Sequence, residues 1–126
     1  SVLRRKLLIV EEDQGLADML ERSLRALGFQ ISRAQAVFCV DFKEQFDGMP
    51  DAAVISGEST VAYQALRSCC SSLPIVCLSS GQEWNCDDPH LVLLPKPCTA
   101  REVYEAISAA TKGRHREVAV LQSDCD

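Results

Sequence analysis

Two adjacent carboxylates, Glu11 and Glu12, follow directly on the apolar run Lys6-Leu7-Leu8-Ile9-Val10. Other polar or small residues also close apolar runs. Gly57 follows Ala52-Ala53-Val54-Ile55-Ser56, Ser79 ends Pro74-Ile75-Val76-Cys77-Leu78-Ser79, and Lys96 comes just after Leu91-Val92-Leu93-Leu94. If these runs are parallel strands, their C-terminal ends share one rim, and open α/β sheets bind ligands beyond that rim. A carboxylate pair, a hydroxyl and a lysine gathered there are the parts of a metal-assisted phosphoryl site. The carboxylates would hold Mg²⁺, and the lysine and hydroxyl would hold phosphoryl oxygens.

That chemistry depends on the elements that carry it. Continuous rather than alternating hydrophobicity marks strands covered on both faces, as in a parallel sheet. After the first such run, Asp13 caps a helix in which Leu16, Met19, Leu20, Leu24 and Leu27 recur at three- and four-residue spacing. Gly28 stops that helix in the C′ position, where a left-handed conformation suits glycine. Phe29–Ser32 reads as a short second strand. A second helix is expected from Val37 or Phe38 to Phe46, with Phe38, Phe42 and Phe46 on one stripe, broken by Gly48 and Pro50. The third strand is Ala52–Ser56. The next helix runs from Thr60 to about Cys70 with Val61, Ala65 and Leu66 inward.

After the fourth and fifth strands, Thr99 and Glu102 form a capping box that opens a last helix carrying Val103, Ile107 and Ala110 on one face. The stretch from Ser80 to His90 is rich in Gly, Asn and Asp-Asp-Pro, which disfavour helix. It is expected to be irregular, with Trp84 packing over the space a full helix would occupy. Five strands alternating with helices imply a parallel sheet with helices on both faces. The expected organisation is an N-terminal extension over 1–5, one domain over 6–111 and a tail or linker over 112–126.

The 126 residues suit one domain with its own core, and 47% hydrophobic and 25% charged residues are ordinary globular values. A net charge of -5 argues against a nucleic-acid or anionic-membrane surface. No apolar stretch approaches the roughly 20 residues of a membrane helix, and the N-terminus carries no signal-peptide pattern. The expectation is a cytoplasmic domain from a longer protein. The seven cysteines, Cys39, Cys69, Cys70, Cys77, Cys86, Cys98 and Cys125, contain no C-x-x-C pair. They read mainly as reduced thiols that behave as small hydrophobes. The vicinal Cys69-Cys70 pair is the one with redox potential, and Cys86 with His90 lacks the partners a metal site needs.

At four places in order the sequence resembles the receiver domain of two-component response regulators, the chemotaxis-regulator type. Leu7-Leu8-Ile9-Val10-Glu11-Glu12 matches the first strand and acid pair, and Val54-Ile55-Ser56 the approach to the phosphoacceptor. Leu73-Pro74-Ile75-Val76-Cys77-Leu78-Ser79 matches the fourth strand with its switch hydroxyl. Leu94-Pro95-Lys96-Pro97 followed by Thr99 matches the lysine–proline turn. The resemblance spans about residues 6 to 111. It implies a flavodoxin-like α/β fold, a five-stranded parallel sheet of order 2-1-3-4-5, with the fourth helix shortened or absent. It also implies a cis bond before Pro97.

The departures from that family bear on function. Gly57 stands where receivers carry the phosphoacceptor aspartate, so neither a nucleophile nor a third metal carboxylate is present there. Glu11-Glu12 stand where at least one aspartate is usual, and the extra methylene misplaces the oxygens for Mg²⁺. Leu93 stands where the family has its switch aromatic. Glu58, Ser56 and Ser59 neighbour Gly57, but alternation points Ser56 away from the rim and Glu58 lies one residue too far.

The resulting expectation is a degenerate pseudo-receiver, non-enzymatic and without cofactor, retaining at most a weak vestigial Mg²⁺ site at Glu11 and Glu12. It would act through protein–protein contact within a hybrid sensor kinase or a response regulator. Its partners would be a histidine kinase, an output domain or another receiver, with no nucleic acid and no membrane. Three alternatives stay open: an active phosphorelay receiver with a non-standard acceptor, a thiol redox sensor, and a flavodoxin-like cofactor binder. The last is disfavoured by the lack of a hydroxyl-rich loop after the first strand.

Overall fold

The computed structural model describes residues 5–34, 48–56, 60–79 and 87–113. The chain runs β1 (Arg5–Val10), α1 (Gln14–Ala26), β2 (Phe29–Arg33), β3 (Ala52–Ser56), α2 (Thr60–Cys69), β4 (Ile75–Ser79), β5 (Leu91–Pro95) and α3 (Ala100–Lys112). All neighbouring strands pair in parallel, in the order β2-β1-β3-β4-β5. This is the flavodoxin-like arrangement expected from the sequence.

Strands β3 and β4 are buried at every position, and β1 from Leu7 onward, because both faces are covered. Leu7, Ile9, Val54, Val76, Leu78, Val92 and Leu94 face α1 and α3, whose Ala17, Leu20, Leu24, Val103 and Ile107 complete that layer. Residues of the opposite parity, Leu8, Val10, Ala53, Ile55, Ile75 and Cys77, face Ala62 and Leu66 of α2. Register follows from this parity, since a one-residue slip would exchange the two layers.

Helix ends were legible in the sequence. The Asp13 side chain accepts from the Leu16 N–H at 3.1 Å, and Gly28 takes a φ of 104° just after the C-cap. In α3, the Thr99 N–H donates to Glu102 Oε1 at 2.7 Å while the Glu102 N–H donates to Thr99 Oγ1 at 3.1 Å. Thr99→Ala should therefore cost about 1 kcal/mol in urea unfolding, with no change in the sheet's spectroscopic signature.

Two side chains depart from the expected stripes. Leu27 is the C-cap of α1 and 47% exposed, because the chain has already left the helix when that residue is reached. Val61 is 54% exposed, because Ala62 and Leu66, four residues apart, take the inward face and turn Val61 about 100° away from it. Strand β1 starts at Arg5 and α3 ends at Lys112. The expected second helix, Trp84 and residues 80–86 lie outside the described residues. The described part of that last stretch, 87–90, is not helical.

Candidate functional site

Strand ends bring the rim residues together. Beyond the pairing of Val10 with Ile55, Glu11 and Ser56 are the next residues of β1 and β3 on the α1/α3 face. Both are buried, at 7% exposure each, and Ser79 at the tip of β4 is buried too. The Lys96 N–H donates to the Ser79 carbonyl at 2.7 Å, and the Lys96–Pro97 bond is cis. This turn carries the lysine back over the sheet, where Nζ lies 3.1 Å from Glu11 Oε1. The Glu11 side chain is only 2% exposed against 23% for Lys96.

Both carboxylate oxygens of Glu11 are committed. Oε2 accepts from the Asp13 N–H at 3.0 Å. Oε1 receives no well-directed hydrogen bond, and its counter-charge is the Lys96 ammonium. Glu12 is exposed. Beside the pair, burial pushes the Cys98 thiol above its ordinary pKa, with the negative charges of Glu102 and Glu11 adding to it and Lys96 opposing. Leu93 packs partly buried on the α2 side. Gly57, Glu58 and Ser59 lie outside the described residues. Next to the rim, a cleft of about 210 Å³ is lined by Ile9, Glu11, Gln14, Arg33 and Ala34. Its guanidinium is occupied, since Arg33 bonds Gln14 Oε1 at 2.6 Å and pairs with Asp18 and Glu21 of α1.

A second polar cluster sits at the opposite end of the sheet, where sequence reasoning anticipated only a turn. Asp88, 8% exposed, accepts from Tyr63 Oη at 2.5 Å, Arg67 Nε at 2.8 Å and the His90 N–H at 2.9 Å. Arg67 also donates to the carbonyls of Cys70 and Leu73 at 3.1 and 2.7 Å, and its guanidinium lies 5.5 Å from the centre of the Tyr63 ring. His90 Nδ1 is 2.8 Å from the Ala110 carbonyl at the end of α3. One guanidinium thus ties α2 to the loops before β4 and β5. Burial alone would raise the Asp88 pKa, but the bonds from Tyr63, His90 and Arg67 outweigh it and hold the carboxyl below its ordinary range. An arginine on a helix and an aspartate before a proline carry no pattern that would pair them without the fold.

No protein-family model matches the chain, and no curated protein matches it. Solved structures do. A response regulator receiver protein from Sinorhizobium medicae WSM419 superposes with a TM-score of 0.73 at 19% identity, covering 90% of this chain and 99% of its own. A CheY-like receiver domain protein from Methanospirillum hungatei JF-1 gives 0.69 at 14% identity, covering 91% and 99%. The N-terminal domain of a response regulator/sensory box/GGDEF 3-domain protein from Carboxydothermus hydrogenoformans gives 0.65 at 19% identity, covering 90% and 99%.

The chain has the receiver fold.

The acidic residues at this rim are a poor match to Mg²⁺. The ion demands near-ideal octahedral oxygen geometry. Glu11 has one oxygen on a backbone N–H and the other against an ammonium, and Gly57 has no side chain to add. Among the described residues no group of three or more His, Cys, Asp or Glu is arranged to hold a metal ion. The described helices also include none long and apolar enough to cross a membrane. The rim holds an ion pair between half-buried Lys96 and buried Glu11, together with two buried hydroxyl residues, Ser56 and Ser79.

Proposed function

We propose that this chain is a pseudo-receiver, a non-enzymatic signalling module that works by protein–protein contact and not by phosphotransfer. The observation that carries the reading is the Lys96–Glu11 pair. The rim lysine, which in a phosphorylated receiver would meet phosphoryl oxygens, is held 3.1 Å from a buried carboxylate of the same chain. With Gly57 at the acceptor position, no acceptor carboxylate competes for that lysine, and the rim keeps one arrangement whether or not a phosphodonor is present.

The partners fitting such a module are a histidine kinase, an output domain or another receiver, in the cytoplasm. A place beside further domains of one chain, like that of the N-terminal domain of the three-domain Carboxydothermus protein, would suit such a module. No cofactor is required. The vestigial acid pair is expected to bind Mg²⁺ too weakly to matter.

Two measurements test this. Amide NMR spectra should not shift on adding Mg²⁺ at millimolar concentration. A saturable shift at Glu11, Glu12 and Asp13 would count against a filled rim. Lys96→Met should destabilise the domain by about 2–3 kcal/mol, because it strands the Glu11 carboxylate in a dry site. Glu11→Gln, which removes the buried charge and leaves the more exposed lysine, should cost less. Equal losses for the two variants in urea unfolding would mean that the pair is not what fixes the rim.

A further inference from the structure

We propose that the neighbouring thiols of Cys69 and Cys70 form a reversible oxidation switch on the clamp at the base of the sheet. Cys69 is the last residue of α2 and is exposed, whereas Cys70 is half-buried against the α2-side apolar layer. Both backbone groups of Cys70 are committed. Its N–H donates to the Leu66 carbonyl at 3.0 Å, and its own carbonyl accepts from Arg67 Nη1 at 3.1 Å. The same guanidinium holds the Leu73 and His90 carbonyls and Asp88.

A bond between adjacent cysteines is incompatible with this geometry. Side chains one residue apart on a helix diverge by about 100°, so the two sulfurs point apart while the end of α2 stays wound. The two sulfurs can join only if the end of α2 opens. That opening takes the Cys70 N–H from Leu66 and its carbonyl from Arg67. Thiol state is thereby coupled to the contact that fixes the loops before β4 and β5.

The oxidant is a low-molecular-weight disulfide, RSSR. The Cys69 thiolate attacks one of its sulfurs, forming a mixed disulfide and releasing one RS⁻, which takes up a proton. The Cys70 thiolate then attacks the Cys69 sulfur and expels the second. In total, two protein thiols lose two electrons and two protons, and RSSR becomes two RSH. The other described cysteines compete poorly. Cys77 is fully buried in β4, and Cys98 has its thiolate disfavoured by burial and neighbouring negative charge.

The chain should be incubated with oxidised glutathione and then analysed by peptide mass and amide hydrogen exchange. The peptide holding Cys69 and Cys70 should lose two hydrogens. Exchange at Cys70 and Leu91 should quicken roughly tenfold as the clamp opens, and reductant should reverse both effects. Cys69→Ser and Cys70→Ser should each abolish the pair of changes. A stable glutathione adduct in place of the two-hydrogen loss would overturn the switch. So would an internal disulfide that leaves exchange at Leu91 unchanged, or no reaction at all.

Discussion

Asp88→Ala is expected to remove about 3–4 kcal/mol of stability, much of what a domain of this size possesses. The carboxylate and Arg67 are both largely buried, at 10% and 15% side-chain exposure. Truncating Asp88 leaves a guanidinium in a dry pocket and takes acceptors from the Tyr63 hydroxyl and the His90 N–H. Breaking a buried pair costs more than the pair contributes, because the survivor stays desolvated. Arg67→Ala should lose a similar amount, and the double variant should lose clearly less than the sum, since both act on one network. Urea unfolding of the variants measures this directly, and strict additivity would show that the two residues work separately.

The same carboxyl sets an acid limit. Its folded-state pKa is depressed, so its stabilisation is fully present above the unfolded value of about 3.9. That contribution fades as pH falls through the lower folded value. Wild type should therefore lose stability on acidification below about pH 4 more steeply than Asp88→Asn.

Most of the architecture could be read in the sequence because the evidence of a parallel sheet is local. Runs such as Ala52–Ser56 and Ile75–Ser79 are apolar without alternation, and both are buried at every position. The Thr99–Glu102 box and the Asp13 cap likewise depend on residues only three apart. The rim was legible for a related reason, since in a parallel sheet each strand end is a site position. Which glutamate would meet Lys96 was not. Glu11 and Glu12 are alike in type, and the choice falls to strand parity, which turns Glu11 inward under the lysine and Glu12 to solvent. The base clamp was illegible because Tyr63, Arg67 and Asp88 meet across 25 residues of chain. Their types, without position, look like a solvated helix face and a turn. Leu27 and Val61 show the limit of periodicity itself: a stripe assigns a face but does not say where the helix stops or which flank stays outside.

Chemical inertness toward phosphodonors is the other large effect expected. Receiver phosphorylation needs a carboxylate for in-line attack, a metal to neutralise the phosphoryl oxygens and a cation to complete the clamp. At Gly57 the first is missing. The second is undermined because the oxygens of Glu11 are already engaged. The third is tied down, since Lys96 faces Glu11. Ser56 is buried on the α1/α3 face, and a serine hydroxyl is a weak nucleophile unless activated, so it is not expected to take the place of the aspartate. Gly57→Asp should restore labelling only slowly, because Glu11 and Lys96 would remain paired with each other. Rapid labelling of that variant would show that the rim is intact apart from its acceptor.

The most direct measurement is intact-mass spectrometry of the wild-type chain after incubation with acetyl phosphate and Mg²⁺. A pseudo-receiver predicts an unchanged mass at every time point. One added phosphoryl group, released by hydroxylamine as an acyl phosphate is, would contradict that account and establish a working acceptor in place of the missing aspartate.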